Sequence, residues 1–123
     1  MIEEGRPLFL QIAETIEDSI VDGSLAEGAK APSTNELSAF YRINPATAAK
    51  GINLLVDKQV LAKRRGVGMF VTAGARARLL TERRDAFTKD YLDPLLAEAA
   101  RLRLTPDDLI SAIRQRASEP ERK

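Results

Sequence analysis

Leu8, Ile12, Ile16 and Ile20 recur every four residues, the spacing of a helix that buries one face. Pro7 stands at its start, and Asp22-Gly23 supplies the glycine that usually lies just past a helix end. A polar loop, "SLAEGAKAP", follows, and Pro32 biases Ala31 toward an extended backbone. Ser33 with Glu36 three residues on reads as a capping box opening a short second helix, with Leu37 and Tyr41 on its buried side. Arg42-Ile43 is a tight turn. Asn44 as a side-chain cap and Pro45 at the first helical position open a third helix. Its apolar face is Ala48, Gly51, Ile52 and Leu55, at i, i+3, i+4 and i+7. Ser38 and Gly51 are small, as expected where the second and third helices cross closely.

After Lys58 the period changes. "VLAKRRGVGMFV" places β-branched and apolar residues on either side of Arg65-Gly66-Val67-Gly68, which predicts a β-hairpin with a glycine-containing loop. Two helices joined by so short a turn form a helix-turn-helix, and a basic hairpin directly behind it is a wing. From Gly74 a long helical pattern begins, with Leu80, Phe87, Tyr91, Leu95, Ala99 and Leu102 along one stripe. Pro94 predicts a kink near Tyr91. Thr105-Pro106-Asp107-Asp108 caps a last helix carrying Leu109, Ile110, Ile113 and Ala117, and "SEPERK" reads as a frayed tail. The expected fold is mainly α with a small β-hairpin: a winged helix-turn-helix in residues 1–73, then two C-terminal dimerisation helices in residues 74–123.

Composition narrows the function. The 123 residues contain no cysteine and no histidine, which removes disulfides, thiolate chemistry, the commonest zinc ligand and the commonest general base together. No phosphate-cradling glycine motif is present and the carboxylates are scattered, so neither an enzyme nor a metal or cofactor is expected. No apolar run approaches the roughly 20 residues of a membrane span, and the acidic start lacks a signal-peptide pattern, so the expected compartment is the cytoplasm. Net charge is only +1, but residues 30–73 carry seven cations against two carboxylates, whereas residues 1–29 carry one against seven. A basic segment coincident with a winged helix is the footprint of a phosphate-backbone partner.

The stretch "APSTNELSAFYRINPATAAKGINLLVDKQVLAKRRGVGMFV" resembles the winged-helix domain of GntR-type bacterial transcription regulators. The resemblance is carried by Pro7, Gln11-Ile12, Gly23, Gly28, Pro32-Ser33, Glu36-Leu37, Thr47, Leu55 and Gly66-x-Gly68-x-Phe70-Val71. Asn44-Pro45-x-Thr47 and "YLDPLL" are similar to the YtrA-like subfamily, whose C-terminal part is two dimerisation helices. The resemblance implies a repressor, often encoded beside transporter genes and acting on its own operon. Three positions depart from the family pattern. Asn35 stands where an arginine usually contacts DNA phosphate, Arg42 where the turn usually has glycine, and Ala49 where the reading face often has Arg or Ser.

On this reading the third helix enters a major groove about 12 Å wide because Pro45, Ala46 and Ala49 keep its leading face slim. Thr47 and Lys50 then offer donors to phosphates or bases, and the helix N-terminus offers free N–H groups to phosphate. Lys63, Arg64 and Arg65, with Gly66 and Gly68 shaping the tip, place a basic wing on the flanking minor groove or backbone. Ser33, Thr34, Asn35 and Asn44 are further DNA contacts, although the capping box accounts for Ser33 without DNA, and basic residues also protect hairpin edges from aggregation. Leu80, Phe87, Tyr91, Leu95, Leu109, Ile110 and Ile113 are too many large apolar side chains for a helical pair to bury on one small domain. They predict a homodimer, with dimerisation in residues 76–118 and two reading helices on a pseudo-palindromic operator. A small-molecule effector would have to bind beside the two C-terminal helices, against the winged helix or across the dimer seam. The rival class is a winged-helix protein–protein adaptor, which would not need the Thr47/Lys50 face or the basic wing.

Overall fold

A computed structural model of the chain describes residues 4–119. The first three helices are α1 (Leu8–Val21), α2 (Thr34–Tyr41) and α3 (Pro45–Asp57). Strands β1 (Leu61–Arg64) and β2 (Gly68–Val71) follow, then helix α4 (Ala75–Phe87), a π-helical turn at Thr88–Leu92, α5 (Asp93–Arg101) and α6 (Pro106–Ala117). The chain divides into two units, one ending at Thr81 and one starting at Glu82. No helix among the described residues is long and apolar enough to cross a membrane.

The predicted periodicity of α1 holds for Ile12, Ile16 and Ile20, which are buried, whereas Leu8 in the first turn is exposed; Gly23 takes a φ of 89° where the helix stops. These isoleucines form one aliphatic core with Leu37 of α2, Ala48, Ile52 and Leu55 of α3, and Leu61 and Val71 of the hairpin. Gly51 works differently from expectation. A Cβ there would lie 2.9 Å from the Phe9 carbonyl oxygen and 3.3 Å from the Ile12 side chain, so the glycine admits α1, not α2. Ser38 also serves the turn, not a helix crossing: its hydroxyl donates to the Ile43 carbonyl at 2.7 Å. Across α1 and the end of α3, the Lys58 ammonium meets the Glu17 carboxylate at 2.6 Å, and the Glu17 side chain is only 8% exposed.

The hairpin pairs Leu61 with Val71 and Arg64 with Gly68, leaving Arg65, Gly66 and Val67 as the tip. Residues 28–31 lie along its other edge. The Ala31 amide donates to the Met69 carbonyl, the Gly28 amide donates to the Val71 carbonyl, and the Val71 amide donates back to the Ala29 carbonyl. An isolated bridge joins Lys30 to Phe70. The edge of β2 is thereby covered by chain from the loop before α2.

The core of the first unit also takes in Ala75 and Leu79 of α4, which are 0% and 1% exposed. Leu80, expected on the buried stripe, is half-buried, and the phase of the helix turns Leu79 inward instead. Three side chains pin the start of α4. Glu27 accepts from the Gly74 and Arg76 amides, the Arg76 guanidinium donates to the Val21 carbonyl, and Arg78 donates to the carbonyls of Gln59 and Ala73.

In the second unit, Pro94 does not break the helix. The backbone stays helical at Phe87, Leu92 and Asp93, and the π turn takes up the proline; a wider turn accommodates a residue that can neither donate nor fit the ordinary spacing. Thr105 and Asp108 form the predicted cap of α6 as a reciprocal box. Ala99 is buried, but Phe87, Tyr91, Leu95, Ile110 and Ile113 are exposed.

Candidate nucleic-acid interface

Helix α3 begins as its sequence dictates, with the Asn44 side chain accepting from the Ala46 amide at 2.7 Å. That cap leaves no amide over. Pro45 has no N–H, and the amides of Thr47 and Ala48 both donate to the Asn44 carbonyl. The free N–H groups expected for phosphate are therefore used internally, and what the helix end retains is its partial positive charge. Asn44 is committed through its side-chain oxygen and its backbone carbonyl.

The leading face of α3 is small, as expected. Ala46 is exposed and Ala49 half-buried; with Lys50, Asn53 and Phe9 they line one shallow groove. Thr47 is half-buried, while the Lys50 ammonium sits 4.1 Å from the centre of the Phe9 ring. A cation over an aromatic face is held by the ring quadrupole while staying in water, so Lys50 is pre-oriented by α1. Asn53, one turn beyond Lys50 on the same side and exposed, was not singled out from the sequence, although the i+3 step from Lys50 carries the signal.

At α2 the capping box is complete. The Ser33 hydroxyl accepts from the Glu36 amide at 3.0 Å, and the Glu36 carboxylate accepts from the Ser33 amide at 2.9 Å. The Ser33 backbone and side-chain hydrogen bonds hold the Glu36 carboxyl below its ordinary pKa. Ser33 is thus occupied by the cap, Thr34 is half-buried beside it, and Asn35 is exposed. The turn into α3 is made by Arg42 in the left-handed conformation, φ 55° and ψ 51°. Its side chain is exposed.

The three consecutive wing cations do not point one way. Alternation along β1 puts Lys63 on the face of buried Leu61, and Arg64 on the opposite face with Ala62. On that outer face the Arg64 guanidinium carbon lies 4.2 Å from the Phe70 ring centre. Arg65 and Gly66 are exposed in the tip, Gly68 is half-buried beside it, and the positive φ values of Gly66 and Gly68, 75° and 135°, permit so tight a return. The structure thus brings the α3 face, the α2 cap and the wing into one folded unit.

Comparison with known proteins agrees with this arrangement. The model of the bacterial regulatory proteins of the gntR family matches residues 8–71, from the start of α1 to the end of the wing. The HTH-type transcriptional repressor YtrA of Bacillus subtilis is 27% identical over 76% of this chain and 71% of its own. A transcriptional regulator from Oenococcus oeni shares the fold, with a TM-score of 0.80 at 23% identity over 96% of this chain and 97% of that one. The DNA-binding domain of AraR, solved in complex with operator ORX1, superposes with a TM-score of 0.53 at 30% identity, covering 58% of this chain and 87% of that one. With its helix-turn-helix, its wing and the family match spanning both, the chain belongs to the GntR family of DNA-binding transcription regulators.

Proposed function

We propose that this regulator is a homodimeric repressor in the cytoplasm that reads a pseudo-palindromic operator. Residues 1–81, whose core takes in Ala75 and Leu79, supply the reading head, and the apolar surface beyond them supplies the dimer contacts. Thr47, Lys50 and Ala46 of α3 meet base edges and adjacent phosphates; Lys63, Arg64 and Arg65, with the Gly66 and Gly68 backbone, meet the flanking DNA. Thr34 and Asn35 add backbone contacts, whereas Ser33 and Asn44 act chiefly by holding the helix ends. The repressor sense draws on the likeness to YtrA, and the DNA-bound geometry on the likeness to AraR.

The observation that carries the reading is the exposed apolar surface of the second unit. Phe87, Tyr91, Leu95, Ile110 and Ile113 are 41–68% exposed, whereas the first unit encloses an aliphatic core that runs from Ile12 to Leu79. Full burial of such a side chain is worth on the order of 1.5–3 kcal/mol and covering its exposed part roughly half of that, so several from each protomer together offset the cost of association. Leu80 precedes that surface in sequence and Leu109 falls within it, both half-buried. Two linked heads then engage two half-sites, which multiplies affinity without new contacts.

The test is sedimentation of the full chain and of Tyr91→Asp/Ile113→Asp, beside binding to duplexes selected from a random pool. A dimer with palindromic selected sites, and a monomeric variant that binds the same sites far more weakly, are expected. A monomeric wild type would overturn the dimer. Selection that enriches no sequence would overturn operator reading and favour the adaptor. Within a specific complex, Thr47→Ala and Lys50→Ala should lower operator affinity more than random-DNA affinity. The Lys63/Arg64/Arg65→Ala triple should weaken both alike and flatten log K against log salt by about 0.9 per lost phosphate contact.

A further inference from the structure

Lys30 lies 34 positions before Arg64 in the chain, yet the fold lays it on the wing. Its bridge to Phe70 sets the two side chains on the same outer face of the hairpin, the face that also carries Arg64. Its stem then runs toward the tip. A Cβ on Gly68 would stand 2.8 Å from Lys30 Cε and 3.7 Å from Nζ. Gly68 pairs with Arg64 in the last rung of the ladder, so the Lys30 ammonium reaches the rung where the tip begins. Phe70 therefore has a cation on either side, Lys30 bridged to it and Arg64 stacked on its ring.

We infer that Lys30 is a DNA-contacting cation of the wing, delivered by the loop before α2, and that Phe70 is the positioning residue holding Lys30 and Arg64 toward the same phosphates. Three features favour this over a solubilising role. The Lys30 stem is packed along a glycine that leaves room for it, and that room exists only because Gly68 has no side chain. Its backbone is fixed by the Ala31 and Gly28 hydrogen bonds to β2, so less chain entropy is lost on binding than for a free loop lysine. The carboxylate that feels the Lys30 charge, Glu36, already accepts the Ser33 amide in the cap of α2, and Arg64 on the same outer face has the same sign as Lys30. This inference rests on the DNA-binding reading given above.

The experiment measures binding of the full chain to a random-sequence duplex between 50 and 200 mM salt, for wild type, Lys30→Gln, Arg64→Gln and Phe70→Leu, with Arg116→Gln on α6 as control. Glutamine keeps most of the stem over Gly68, and matched thermal melts establish that the variants fold alike. Loss of one phosphate contact lowers the slope by about 0.9, so the ratio of wild-type to Lys30→Gln affinity should shrink about 3.5-fold across that range. Arg64→Gln should do the same and Arg116→Gln should not. Phe70→Leu keeps both charges and should weaken binding at every salt concentration with a parallel slope. A steep wild-type slope that Lys30→Gln leaves unchanged would overturn the inference while sparing the DNA-binding reading; a flat wild-type slope would overturn that reading itself. Wild-type affinity in Phe70→Leu would remove Phe70 from the device.

Discussion

Cutting the chain tests how far the reading head extends. Leu79 is 1% exposed and belongs to the core that α1, α2, α3 and the hairpin enclose. A fragment ending at Ala73 loses it, together with buried Ala75 and the Arg76 and Arg78 hydrogen bonds, whereas a fragment ending at Thr81 keeps them all. Removing a buried leucine side chain costs about 2–5 kcal/mol, the transfer term plus the cavity. A domain of this size has roughly 4–12 kcal/mol in total at 0.05–0.15 kcal/mol per residue. One kcal/mol moves the midpoint of so small a domain by about 4–8 °C, so the shorter fragment should melt at least about 8 °C below the longer. Circular dichroism melts of 1–73, 1–81 and 1–81 with Leu79→Ala decide it. The point variant should reproduce most of the loss, since the buried leucine supplies most of it. Equal midpoints for the three fragments would show that α4 contributes nothing to the winged helix and would refute its inclusion in the core.

Arg42→Gly should stabilise the protein by about 1 kcal/mol in urea titrations, because glycine takes the left-handed turn without the Cβ penalty; loss of stability would mean the arginine side chain makes a compensating contact. Lys58→Met should cost about 1–3 kcal/mol by leaving the buried Glu17 carboxylate unpaired, and Glu17→Met/Lys58→Met should recover much of it, the double variant being compared with both singles by the same titration. Amide donors from Gly74 and then Arg76 hold the Glu27 carboxyl below its ordinary pKa, so the folded state keeps it charged to lower pH than the unfolded chain does. Its stabilising effect is complete above the unfolded pKa, roughly 4.3, and is lost as pH falls through the folded value. Glu27→Gln should flatten the acid limb of a melting-temperature profile below that pH and leave its pH dependence at neutrality unaltered; an unaltered acid limb would remove Glu27 from that linkage.

The local features of this protein were legible in its residues because each is set by neighbours in the chain. Ser33 with Glu36, Asn44 with Pro45 and Thr105 with Asp108 encode helix starts within four residues, and the spacing of Ile12, Ile16 and Ile20 encodes the buried side of α1. The order helix, helix, helix, hairpin was enough to predict a winged helix and to point to α3 and the wing as the interface. What only the tertiary structure decided depends on residues distant in sequence. Gly51 meets α1 because of how two helices cross, and no periodicity names the partner of a small residue. Leu79 is buried in place of Leu80 because the docking of α4 sets the phase of a helix whose own apolar pattern leaves its first turns ambiguous. Lys50 rests on Phe9, and Lys30 joins the wing through a bridge to Phe70, because backbone pairing and packing close long loops that leave no local signature. Side-chain chemistry names the groups able to touch DNA; the closing of those loops decides which of them face it together.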